Sequence, residues 1–269
     1  LALADDLKSG ITTVENLMVP KRLALNTSIS NPLAAFGMIS GMVFPVIMFP
    51  AAILFGLTEL LIPELARCAA AGSKRRIHYL MHKSLRVALV YALLFSGLVF
   101  LLSDWLCMKL YGNADAAIPL RLYALLIPML YCDLLTDAMT KGLGQQKICV
   151  RYNILTSFLD VVFLYFLLPV HGMMGYYLSF LVTHLLNFIL SLRRLMKITE
   201  KKLPLHVPIL AAASAVFSIQ ICSLTGSDVA RGICYPLILG SLLFLLRILD
   251  AADLRWIGSL IRKKDPTNR

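Results

Sequence analysis

Several ionisable and amide side chains of this sequence lie among long apolar stretches, where each of them needs a partner. Glu15, Asn16 and Arg22 fall within about half of a helical wheel in the first of these stretches, so they share one polar face. If the stretch crosses a membrane, this face cannot contact lipid, because each charge in the bilayer costs several kcal/mol. The pattern predicts that the face lines protein or a water-filled cavity, and the alternative is an amphipathic segment at the membrane surface.

A second group of charged residues has a spacing that places them on the same face of a helix. Asp133, Asp137 and Lys141 occur at positions i, i+4 and i+8, so Asp137 can pair with Lys141. This group is interpreted either as an ion or proton site or as a salt bridge near one end of a span. The remaining polar residues of apolar stretches are either functional groups or partners in buried interhelical hydrogen bonds, namely Asp160, His184, Asn187 and Gln220.

The motifs that mark common enzymes do not occur. The sequence lacks GxSxG, HExxH and GxxxxGK[ST], so we predict that the protein is not an enzyme. The six cysteines include no CxxC pair, and metal or redox use is not expected. No resident cofactor is predicted, although a coupling cation remains open.

The apolar stretches themselves define the class of protein. The 269 residues are 59% hydrophobic and only 15% charged, whereas soluble domains carry about 25% charged residues. The apolar blocks are close to the length of about 20 residues that a helix needs to cross a bilayer. The sequence therefore predicts an all-α membrane protein with about eight spans, which are Leu3–Ala24, Ala34–Ile62, Ser84–Leu102, Ile118–Ala138, Ile148–Leu168, Met174–Leu195, Val207–Leu224 and Ile233–Leu249.

The positive charge alternates from loop to loop. Twenty of the 26 Lys and Arg residues lie in the loops after the second, fourth and sixth spans or in the C-terminal end. This alternation follows the positive-inside rule and predicts that both termini of the segment are cytoplasmic. It also accounts for the net charge of +11 without nucleic acid, which is not expected as a partner. Since the chain begins with Leu and has no signal-peptide pattern, it is expected to be a fragment of a longer protein.

Several short motifs carry a resemblance to one family. They are, in order, Glu15-Asn-Leu-Met-Val-Pro-Lys-Arg-Leu23, Phe36-Gly-Met-Ile-Ser-Gly-Met-Val-Phe-Pro45, Phe49-Pro50 with Leu61-Ile-Pro-Glu-Leu65, Leu110-Tyr-Gly112, Gly142-Leu-Gly144 and Leu168-Pro-Val-His-Gly-Met-Met-Gly-Tyr176. In order and spacing they resemble the stage V sporulation protein B-like polysaccharide biosynthesis proteins. That family belongs to the multidrug/oligosaccharidyl-lipid/polysaccharide (MOP) flippases.

The resemblance implies a fourteen-helix flippase of two lobes, of which this chain is the second lobe plus two extra helices. Residues 1–200 would form the second-lobe helices, and residues 201–269 the extra pair and a basic cytoplasmic tail. The N-terminal lobe would be missing from the chain. By alternating access in a bacterial plasma membrane, such a protein would flip a polyprenyl-linked sugar, with its tail among the membrane lipids.

The resemblance also places substrate in a central cavity lined by the first two spans. Glu15, Asn16 and Arg22 would then bind the substrate: the first two by hydrogen bonds to sugar or by holding a cation, and Arg22 by attracting phosphate. Asp133 and Asp137 remain the possible ion or proton site. The alternatives are a cation-coupled multidrug exporter and a non-transporting scaffold in spore or cell-wall assembly.

Overall fold

The computed structural model describes residues 2–200, 204 and 206–249, with side chains from residue 9 onwards. Helix makes up 86% of these residues, and no strand occurs among them. The all-α class predicted from the sequence is confirmed. The predicted basic tail, residues 250–269, lies outside the described part of the chain.

The described residues form ten α-helices, which follow one another with short connections. They are α1 (Ala2–Leu23), α2 (Pro32–Met38), α3 (Phe44–Ala70), α4 (Lys74–Leu101), α5 (Ser103–Tyr111), α6 (Ala117–Ala124), α7 (Ile127–Gly142), α8 (Gln146–Thr199), α9 (His206–Ser223) and α10 (Asp228–Leu245). A π-helical turn at Ile39–Val43 joins α2 to α3, so that Pro32–Ala70 is one continuous helical segment. Such single π-turns are frequent at functional sites.

Five of the described helical segments are long and apolar enough to cross a membrane. They are Pro32–Ala70, Lys74–Leu101, Gln146–Thr199, His206–Ser223 and Asp228–Leu245. A sixth results if α6 and α7, which meet at a bend of 50°, count as one broken span. Several helices therefore support a multi-pass membrane protein. The polar face of α1 keeps that helix out of this set, although it has 22 residues.

The longest helix is broken in its middle. Gly172 of α8 has φ 56° and ψ −135°, a conformation that residues with a side chain rarely adopt, and Pro169 precedes it by one turn. The two halves, α8a (146–171) and α8b (173–199), fold back on each other, since Ser179 of α8b bonds to Asp160 of α8a. Each half has about the length that a bilayer requires.

The interior consists of three apolar clusters. The largest joins α3, α4, α6 and α7, and a smaller one joins the last turns of α1 to α8a. In the third, α9 and α10 pack on α4, and the hydroxyl of Tyr235 donates to the carbonyl of Leu93 at 2.8 Å. The last two helices therefore contact the rest of the molecule through α4.

The outer surface is rich in large apolar side chains. Phe49 is 83% exposed and Val170 69%, and similar residues occur on α3, α8, α9 and α10. Monomeric soluble proteins rarely expose apolar patches of more than a few hundred Å². Lipid contact explains this surface, because hydrocarbon does not penalise apolar exposure.

Candidate functional site

A polar cavity of about 230 Å³ lies between α1, the start of α3 and both halves of α8. Its walls combine two carboxylates with amides, hydroxyls and aromatic rings, contributed by Thr12, Glu15, Phe44, Asn153, Thr156, Ser157, Asp160, Tyr176, Phe180, Thr183, His184 and Asn187. The volume is below the 300–1,000 Å³ typical of sites for drug-sized ligands. A cavity of this size suits a small ion or one polar group of a larger ligand.

Asp160 is held by the opposite half of the α8 hairpin. Its Oδ1 accepts hydrogen bonds from the hydroxyls of Ser179, at 2.5 Å, and Thr183, at 3.2 Å. Both donors are buried, whereas Asp160 itself is partly exposed. Since hydroxyl donors to a carboxylate offset part of the cost of its burial, this arrangement can hold a negative charge among apolar helices.

Glu15 brings a second carboxylate to the same cavity from α1. Glu15 and Asp160 both interact electrostatically with Tyr176 of α8b. Two carboxylates beside one small cavity repel each other when both are ionised, and a bound cation or a shared proton relieves that repulsion. The site is therefore arranged for a positive species.

Asn187 connects the cavity to α7. Its Nδ2 donates to both carboxylate oxygens of Asp133, at 3.1 and 3.3 Å. The side-chain Oδ1 is buried and has no hydrogen-bond partner among the described residues. Because the paired carboxylate fixes the orientation of the amide, this carbonyl oxygen is left as an acceptor for a cation or a water molecule.

The three predicted substrate-binding residues are placed differently from one another. Glu15 lines the cavity, whereas Asn16 is exposed on the outer side of α1. Arg22 lies against α8a, with its guanidinium carbon 3.4 Å from the centroid of the Tyr165 ring. Its Nε and Nη2 donate to the carbonyl of Tyr165 at 3.2 and 3.1 Å. The structure therefore does not bring these three side chains together.

The possible ion or proton site on α7 is also divided. Asp133 reaches the cavity indirectly, through Asn187. Asp137 forms a salt bridge with Lys141 at 2.7 Å, which is the pairing that the spacing of four residues allows. Of the two, Asp133 is thus the one connected to the cavity.

Most of the cavity comes from residues that the sequence analysis did not gather into one site. Asp160 lies in the fifth predicted span and His184 and Asn187 lie in the sixth, and the two spans meet at the cavity because α8 folds back at Gly172. Gln220 lies elsewhere, exposed on α9. One available signal was the spacing of Ser179, Thr183 and Asn187 at i, i+4 and i+8, which gives α8b a polar stripe.

The donor set limits which ions fit. The cavity offers carboxylate, amide and hydroxyl oxygens and the imidazole of His184. The oxygens, which predominate, are ligands for hard cations rather than for soft transition metals. Within the described residues, no group of three or more His, Cys, Asp and Glu is arranged to hold a metal ion. A proton or a monovalent cation is the simplest positive species that these oxygens accommodate.

Comparisons with known proteins add no family assignment. No family model matches the chain, and no curated protein matches it significantly.

Proposed function

We propose that this chain is part of a membrane transporter that flips a lipid-linked oligosaccharide or peptidoglycan precursor by alternating access. The observation that carries the proposal is the polar cavity with Glu15 and Asp160, which lies beside α3 and α8, two helices with many exposed apolar side chains. Ionisable residues inside a membrane are costly, and they mark substrate and ion pathways. A non-transporting scaffold would have no need of them.

The proposed topology has eight spans. They are α1, Pro32–Ala70, α4, the bent pair α6 and α7, the two halves of α8, α9 and α10. The break at Gly172 supports two spans within α8, and the alternating charge of the loops supports cytoplasmic termini. The setting we propose is a bacterial plasma membrane.

A polyprenyl-linked sugar is the substrate class that the motif resemblance favours. Its headgroup is too polar to cross hydrocarbon unaided, so the transporter must replace the lost water with polar groups. The small cavity of this chain supplies one wall of such a path. The other wall would come from the first lobe that the motif resemblance implies. We assign to it the exposed polar side of α1, with Ser9, Thr13 and Asn16.

The acidic lining favours coupling to a cation or proton. A phosphate headgroup is repelled by ionised carboxylates, whereas a cation is attracted to them. In the proposed cycle, a proton or monovalent cation binds at Glu15 and Asp160 and drives the conformational change. The headgroup then occupies the space between the lobes.

The same lining is the observation that favours a second function. A cation-coupled multidrug exporter also needs membrane carboxylates, and it takes apolar cations rather than lipid-linked sugars. The sporulation-type motifs favour the flippase, and the acidic cavity alone does not separate the two.

The test is transport by the full-length protein in proteoliposomes. Fluorescent lipid II and a fluorescent organic cation are offered separately, with and without an imposed proton or sodium gradient. We expect Glu15→Gln and Asp160→Asn to abolish the effect of the gradient, since each removes a charge while keeping the size of the side chain. Lipid II should be flipped, and the organic cation should not be moved.

Glu59→Gln is the matched control, because Glu59 is an exposed carboxylate on the neighbouring helix α3. It should transport like the wild type. Movement of the organic cation alone would support the exporter. Absence of transport for every lipid-linked sugar and every cation would reject both functions.

A further inference from the structure

Pro169 leaves a carbonyl of α8a without its helical donor. In an α-helix the amide of residue i bonds to the carbonyl of residue i−4, and proline has no amide hydrogen. The carbonyl of Tyr165 therefore cannot be satisfied from within α8a. A free carbonyl is costly at membrane depth, where water does not compensate.

Arg22 of α1 satisfies this carbonyl. Its Nε and Nη2 both donate to the Tyr165 oxygen, at 3.2 and 3.1 Å, and its guanidinium stacks on the ring of the same residue. Stacking and forked donation are properties of arginine that lysine lacks. The contact is thus specific to both the residue type and the break in the helix.

A second side chain of the same segment contacts the break itself. Gly172 ends α8a, and the carbonyls in the last turn of a helix lack helical donors. Asn26, which follows α1, donates from Nδ2 to the carbonyl of Pro169 at 3.1 Å. A Cβ on Gly172 would lie 3.0 Å from Ile29, so the loop after α1 fits closely against the turn.

We propose that Arg22 and Asn26 are positioning residues that fasten the end of α1 to the Pro169–Gly172 hinge of α8. Apolar contacts complete this attachment, since Val19 and Leu23 of α1 pack on Leu164 and Leu168 of α8a. Because α1 carries Glu15 and the hinge sets Asp160 against Ser179, the attachment makes both carboxylates of the cavity move together. Arg22 thereby acts through the hinge and not as a ligand for phosphate.

The role in transport rests on the function proposed above, and the fastening itself does not. Two measurements on the full-length protein therefore test the proposal. The first is the rate and KM of lipid II flipping for Arg22→Met, Arg22→Lys and Pro169→Ala and for the double variant Arg22→Met/Pro169→Ala. The second is the thermal stability of the same variants in detergent.

We expect Arg22→Met to lower the maximal flipping rate about tenfold with little change in KM, because orientation is lost rather than substrate binding. Arg22→Lys should lose most of the rate too, since it keeps the charge but not the fork or the stacking. Lys21→Met is the control, because Lys21 is an exposed cation beside Arg22, and it should flip lipid II at the wild-type rate.

Pro169→Ala provides the decisive comparison, because alanine restores the amide hydrogen that the Tyr165 carbonyl lacks. We expect Arg22→Met to lower the melting temperature by about 2–4 °C when Pro169 is present and by clearly less in the Pro169→Ala background. Equal losses in the two backgrounds would overturn the fastening. A raised KM in Arg22→Met that Arg22→Lys restores would instead identify a phosphate ligand and overturn the positioning role.

The two proposals fail in distinguishable ways. If the wild type flips nothing, both the proposed function and the positioning role in transport are rejected. The melting temperatures still decide whether Arg22 caps the Tyr165 carbonyl. If the wild type flips lipid II and Arg22→Met does so at the same rate, only the positioning role is rejected.

Discussion

Asp160 shows how a single residue can hold charge inside this protein. An isolated carboxylate among apolar helices would become protonated or displace the structure around it. Here Ser179 and Thr183, one turn apart on α8b, both direct hydroxyls at its Oδ1. These two donors fix the carboxylate against α8b at the edge of the cavity.

Removal of one donor should therefore weaken the folded state. We expect Ser179→Ala to lower the free energy of unfolding by about 1.5–3 kcal/mol, the range for hydrogen bonds to charged groups. Unfolding in mixed micelles measures this, and the loss should shrink when Asp160→Asn has already removed the charge. In Ser241→Ala the lost hydroxyl is exposed and bonds only its own helix, so a change within about 0.5 kcal/mol is expected there. Equal effects of the two substitutions would contradict the assignment.

At the scale of elements, α10 is held to α4 by a close fit between a glycine and a tyrosine. Tyr235 is fully buried, and a Cβ on Gly97 would lie 2.1 Å from its ring. Its hydroxyl reaches the Leu93 carbonyl only because residue 97 has no side chain. Small residues let membrane helices approach closely in this way.

Gly97→Ala should loosen the last two helices. The added methyl group forces the ring away, which costs about 1–3 kcal/mol for overpacking and about 1 kcal/mol for the lost hydrogen bond. Gly240→Ala, on α10 with open space around it, should instead be neutral or stabilising by up to about 1 kcal/mol. Unfolding measured for each variant decides this, and a neutral Gly97→Ala would show that α10 does not depend on the contact.

The order of the helices could be predicted from the sequence, because hydrophobic runs and loop charges are local signals. The predicted span Ala34–Ile62 corresponds to the helical segment Pro32–Ala70. This segment remains helical at its prolines and contains a π-helical turn before Pro45. The bend between α6 and α7 was not predicted, although Pro128 in the first turn of α7 is a signal for it, because proline has no amide hydrogen to bond the carbonyl of Ala124.

The candidate site was less predictable than the elements. Glu15 was expected to line a cavity, and it does. The position of Arg22 was missed, because its partner is a backbone carbonyl freed by a proline 147 positions later. Asp160 and Ser179 could not be paired from the sequence either, since their contact depends on the direction in which α8b returns.

At the scale of the whole molecule, apolar and polar exposure are separated. The outer faces of α3, α8, α9 and α10 carry exposed aromatic and aliphatic residues, whereas α1 exposes a polar side with Ser9, Thr13 and Asn16 next to the apolar Val14 and Leu17. A lipid-facing surface must be apolar, so the polar side of α1 requires protein or water beside it. This separation agrees with a lobe that meets a partner along α1.

The proposed eight-span topology predicts on which side of the membrane each connection lies, which the lengths of the individual helices do not. If α8 is a hairpin of two spans, His171 lies on the same side of the membrane as Ala114, opposite Ala71 and Gln146, and all four are exposed. Single-cysteine variants at these positions, in a background without the six native cysteines, are treated on intact cells with a membrane-impermeant maleimide. By the positive-inside rule, Ala114→Cys and His171→Cys should react at once, and Ala71→Cys and Gln146→Cys only after permeabilisation.

Protection of His171→Cys together with reaction of Ala114→Cys would mean that α8 does not reach the outer surface at Gly172. The break would then lie within the membrane, and the proposed topology would have to be abandoned.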